Sequence, residues 1–143
     1  MKFFKRWFNK PPKPVLSYED LQLGMMRFDD EDESWVGRYN GYEFRIGYQH
    51  QKLPQSELLR YCFDTLSNRS GLEGILQQQK DQQKQPANSA LHGEIDGLRY
   101  YNLMFYRNDQ QMCILAQLTD DDSERLWRVE FCDDQCGGIG FDI

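Results

Sequence analysis

Apolar and polar positions alternate on both sides of one dipeptide, Asn40-Gly41, in the stretch "SWVGRYNGYEFRIGY". Asn-Gly is the favoured pair for a two-residue type I′ turn, because both turn positions need positive φ. Counting outward sets Tyr39 opposite Tyr42, Gly37 opposite Phe44 and Trp35 opposite Ile46 on one face, with Arg38 opposite Glu43 on the other. Successive side chains of a strand point to opposite faces, so the aromatic set is the buried one and the charged pair meets water.

The period then changes. In "PQSELLRYCFDTLSNRSG", Leu58, Leu59, Cys62, Phe63 and Leu66 recur at helical spacing after Pro54. Gly71 breaks or kinks that helix. Ser70 and Glu73 form a capping-box pattern for a second helix carrying Leu72, Ile75 and Leu76. The following "QQQKDQQKQPANS" has no apolar period and reads as a solvated helix end or loop.

From Leu91 onward, period two returns in "GEIDGLRYYNLMFYR", "MCILAQL" and "LWRVEFC", broken at Asp96-Gly97, Asn108-Asp109 and "TDDDSE". Ile139, Phe141 and Ile143 alternate in a short terminal strand. Strands on both sides of a helical middle predict an α+β fold, with a mainly antiparallel sheet of five to six strands and two helices on one face. Before the first hairpin, Ser17 followed by Glu19 and Asp20 predicts a capped helical turn ending at Gly24. The expected division is a segment 1–16 and a single domain 17–143.

Length and charge narrow the picture. A chain of 143 residues is the size of one domain, and 39% hydrophobic with 14% aromatic residues suffices for a packed core. A net charge of −6 argues against general affinity for nucleic acid. The opening "MKFFKRWFNKPPKP" nevertheless holds five basic residues and no acid, so the remainder carries 12 basic against 23 acidic residues. No run reaches the roughly 18 apolar residues of a membrane span, and "FFKRWF" lacks a secretory h-region. A cytoplasmic protein, in contact at most with the inner membrane face, is expected. Cys62, Cys113, Cys132 and Cys136 are accordingly expected as thiols.

Candidate chemistry is sparse. Cys132 and Cys136 lack the spacing and the nearby second pair of a zinc site, and "CGGIGFDI" has no room for a helix whose N-terminus would hold phosphate. His50 and His92 sit in polar surroundings, where an exposed histidine is the ordinary reading, and the "HGE" of His92 to Glu94 matches no catalytic motif. No catalytic residue, metal or cofactor is expected. Two acidic runs remain, "DDEDE" and "DDDSE". Asp29, Asp30, Asp32, Glu33, Asp120, Asp121 and Asp122 are the expected contacts for a basic protein partner, because a negative surface steers and orients a cationic one. An alternative site is the head itself. Phe3, Phe4, Trp7 and Phe8 with Lys5 and Arg6 form a basic aromatic segment suited to a membrane surface, as in a peripheral adaptor.

The hairpin behind an acidic loop, the helical middle and the Trp35-x-Gly37 strand together resemble small bacterial domains of unknown function that include toxin-immunity proteins. That resemblance covers the layout of residues 24–143 and only Trp35 and Gly37 as a motif. It implies a noncatalytic cytosolic binder that neutralises a toxin, here a cationic one such as a nuclease, and it carries over no site residue.

Overall fold

The computed structural model describes residues 16–47, 53–109, 111–121, 125–132 and 135–141. Their order is β1 (Ser17–Asp20), β2 (Gly24–Asp29), β3 (Ser34–Tyr39), β4 (Tyr42–Gly47), α1 (Ser56–Ser67), α2 (Arg69–Gln83), a 3-10 turn (Pro86–Leu91), α3 (His92–Asp96), β5 (Arg99–Asn108), β6 (Gln111–Thr119), β7 (Trp127–Cys132), β8 (Gln135–Cys136) and β9 (Gly140–Phe141). All described strands join one sheet in sequence order, except that β9 also pairs with β7. Seven of them have four residues or more and two are two-residue strands. Neighbours are antiparallel except β4 and β5, which run parallel. Parallel neighbours need a long crossover, and α1 to α3 fill it.

The fold is therefore α+β, with more strands and one more short helix than the hydrophobic pattern predicted. The Asn40-Gly41 turn has the expected positive φ at both residues, 54° and 86°. Its register sets Tyr39 on Tyr42, Gly37 on Phe44 and Trp35 on Ile46, as the pattern required. On that face Trp35, Tyr42, Phe44 and Ile46 are buried, while Arg38 on the opposite face is exposed. Burying a side chain of that size contributes roughly 1.5–3 kcal/mol each.

Both long helices lie on this inner face. Phe63 of α1 meets the Tyr39 ring, Tyr61 meets Phe105, and Tyr100 Oη donates to the Leu72 carbonyl of α2 at 2.7 Å. Leu58, Cys62 and Leu66 of α1 and Leu72 and Leu76 of α2 complete the core with Leu103, Phe105, Ile114, Ala116 and Val129. The outer face of the sheet carries neither long helix.

Four local readings are corrected. Ser17–Asp20 is a strand paired with β2, because the Asp20 carboxylate accepts from the Gln22 and Leu23 amides and so closes a turn between two strands. The second helix is capped by Asn68, whose Oδ1 accepts from the Gly71 amide at 3.1 Å. Ser70 lies inside that helix, which continues unbroken through Gly71. His92–Asp96 is helical where alternation suggested strand. Of the two readings of the glutamine-rich run, the helix end holds as far as Gln83, but it is not wholly solvated, since Gln79 and Lys80 within it are buried.

Candidate functional site: an acidic hairpin and the outer sheet face

The β2–β3 connection is built from "DDEDE". Asp29 ends β2 opposite Ser34, the first residue of β3. Alternation places Asp29, Ser34 and Arg45 on the outer face, and the Arg45 guanidinium sits among them. It contacts Asp29 Oδ2 at 3.0 Å, Asp32 Oδ2 at 2.9 Å and Ser34 Oγ at 3.3 Å. The Glu31 amide donates to Asp29 Oδ1 at 3.0 Å, and Glu33 takes a positive φ of 50° to re-enter the strand. The Arg45 hydrogen bond, helped by the Glu31 amide, holds the Asp29 carboxyl below its usual value of 3.8.

A surface arginine pair alone adds little stability. Here one arginine contacts Asp29 and Ser34, which flank the four-residue connection, and Asp32 within it, which fixes the loop's shape. Asp30, Glu31, Asp32 and Glu33 are left exposed, and among the described residues Asp30, Glu31 and Glu33 make no ion pair through their side chains. The result is a negative knob on a hairpin, tied toward the outer face.

Beside it runs an open groove of about 590 Å³, whose lining includes Ser17, Met25, Arg27, Val36, Arg38 and Glu43. These residues belong to the outer face of β1 to β4. Met25 is 61% exposed and Val36 forms a buried floor. Arg27 and Arg38 are exposed, and among the described residues neither makes a hydrogen bond or ion pair through its side chain.

The second acidic run is elsewhere. Ser34, which follows the first loop, pairs with Gly47 at the end of β4, whereas Thr119, which precedes the second, pairs with Arg99 at the start of β5. Because β4 and β5 are parallel, the two runs lie at opposite ends of the sheet, about 20 Å apart along the strands. Asp121 is tied to Arg99 at 2.8 Å, and the Asp120 carboxylate packs against Gly97. Asp122 lies outside the described residues. The described members of the two runs, Asp29, Asp30, Asp32 and Glu33 on one side and Asp120 and Asp121 on the other, therefore form two separate patches in place of the one surface expected, and the first is the better formed.

The other candidates resolve as follows. Phe3, Phe4, Lys5, Arg6, Trp7 and Phe8 lie outside the described residues, as does His50. His92 is half-buried, its Nε2 2.8 Å from the Gln85 carbonyl oxygen and 3.0 Å from Asn88 Oδ1, while Glu94 faces Arg125. The cysteines depart from expectation. Cys113 and Cys132 form a disulfide between directly opposed residues of β6 and β7. Cys62 is a buried thiol whose pKa is pushed up, first by burial and then by Asp20, which favours its protonated form. Among the described residues no three His, Cys, Asp or Glu side chains are arranged to hold a metal, and no helix is long and apolar enough to cross a membrane.

One buried polar group went unread in the sequence. Lys80 Nζ donates to the Asp96 carbonyl at 3.1 Å, and desolvation lowers its pKa. Neighbouring Lys84 bonds the Asp96 carboxylate at 2.6 Å, and that bond raises its pKa. The pair fastens α2 to the end of α3, where a cation also meets the negative end of the helix dipole. A helical period with polar residues on one face could have signalled it only if the glutamines had been counted as core. Comparison of the chain with protein-family models, with curated proteins and with solved structures finds no match.

Proposed function

We propose that the chain is a noncatalytic protein-binding domain that receives a basic partner on the β2–β3 acidic loop, acting as an immunity protein toward a cationic toxin such as a nuclease. The observation that supports this is the tie from Arg45 to both Asp29 and Asp32. A loop held in shape before binding loses little conformational entropy on association, and its exposed carboxylates supply long-range attraction and orientation. Farther along the same outer face, the groove's exposed Met25 and its floor residue Val36 offer apolar contact.

The test compares two baits in extracts of the cell that makes the protein: the wild-type chain and the triple variant Asp30→Lys, Glu31→Lys, Glu33→Lys. All three positions are exposed, so the substitutions leave the core untouched. The proposal expects one basic protein at one-to-one stoichiometry on the wild-type bait and its loss from the variant. Equal recovery on both baits would overturn it.

A further inference from the structure

The outer face presents two features of opposite charge on the same pair of strands. The groove holds Arg27 on β2 and Arg38 on β3, which are unpaired among the described residues and face Glu43 as the one acid among its lining residues. The loop that continues β2 into β3 holds Asp30, Glu31 and Glu33, also unpaired among the described residues. Arg45, itself on the outer face, draws that loop to the groove's side of the sheet. Groove and loop therefore lie one after the other along β2 and β3, separated by a few residues of strand.

A patch that carries both partners of a complementary pair side by side is the requirement for a two-fold interface, since a rotation axis between them sets each loop on the other copy's groove. From this arrangement we infer that this sheet face, which no helix among the described residues covers, is an interface between two copies of the chain, each acidic loop seated over Arg27 and Arg38 of its neighbour. Exposed Met25, which lines the groove with Arg38, joins the apolar centre with Val36, and the charged groups form its rim. An unrelated acidic peptide would satisfy the two arginines equally. The second copy is favoured because it satisfies both of its own charged features at once. Self-association requires no toxin, and it covers the loop on which a basic partner would dock, so the two bindings compete.

Sedimentation equilibrium of the purified full chain, alone and over a wide concentration series at physiological salt, tests this without any partner. The wild-type chain is expected to approach twice its monomer mass. Arg27→Glu with Arg38→Glu, and separately Asp30→Lys with Glu31→Lys and Glu33→Lys, are each expected to weaken dimerisation by more than roughly tenfold, because like charges then face each other. An equimolar mixture of the two variants is expected to dimerise again, since each supplies the charge that the other now needs. That rescue also shows that both variants are folded. A wild-type chain that stays monomeric, a variant that dimerises as well as wild type, or a mixture that remains monomeric would each overturn the inference. Failure of the toxin reading would leave these masses unchanged.

Discussion

Gly37 shows how one residue serves the fold. A Cβ at this position would lie 2.6 Å from Phe44 Cζ and 3.1 Å from Met26 Cγ, so the missing side chain is what lets the Phe44 ring lie against the strand. This gives a packing reason for the glycine two residues after Trp35. Gly37→Ala is expected to destabilise the protein by about 1–3 kcal/mol through overpacking. Gly74 is the control. It is exposed in the middle of α2 with nothing within 4 Å of an added Cβ, so Gly74→Ala is expected to stabilise by about 0.5–1 kcal/mol. Urea denaturation of the two variants checks both signs. The glycine was visible in the sequence, but the ring that occupies its place was legible only once the hairpin register was counted.

The loop has its own residue-scale test. Arg45 favours the ionised form of Asp29, so the folded-state pKa lies below the ordinary 3.8. The stabilisation from this contact is therefore complete above the ordinary value and is lost as pH falls through the depressed one. In an NMR titration Asp29 is expected to have its midpoint below 3.8, and Arg45→Met is expected to raise it. An unchanged midpoint would mean that Arg45 does not hold the loop.

At the scale of elements, the break between α1 and α2 falls at Asn68, and its side chain satisfies an amide that the first turn of α2 leaves open. Asn68→Ala is expected to cost about 0.5–2 kcal/mol, whereas Ser70→Ala is expected to change stability by less than about 0.5 kcal/mol. Thermal or urea melts of the two variants separate the observed cap from the one that the capping-box pattern suggested. Elements with a strong local rule were readable: Asn40-Gly41 for its hairpin, and Leu58, Cys62 and Leu66 for the buried face of α1. Elements decided by their neighbours were not. Ser17–Asp20 becomes a strand because β2 offers an edge, and His92–Asp96 becomes a helix although its residues alternate like a strand. The pairing of Cys113 with Cys132 depends on the β6–β7 register, which spacing along the chain does not reveal.

At the scale of the whole molecule, strand order decides which charges can act together. The two acidic runs look alike in sequence, yet the parallel step from β4 to β5 sends them to opposite ends of the sheet. That step is a property of topology, and no local pattern near either run contains it. What remains at one end is an acidic loop braced by Arg45, next to a sheet face without a long helix and with two unpaired arginines among the described residues. A surface of this kind is expected to bind by charge and shape, with an affinity that depends on ionic strength because exposed charges are screened over about 8 Å at physiological salt.

The most direct measurement is a calorimetric titration of whichever basic protein the wild-type bait recovers against the wild-type chain at low and high salt, repeated with Asp30, Glu31 and Glu33 reversed to lysine. The account predicts one-to-one binding that weakens by more than roughly tenfold as salt is raised and is lost in the variant. Equal affinity at both salt concentrations, undiminished by the reversal, would contradict it.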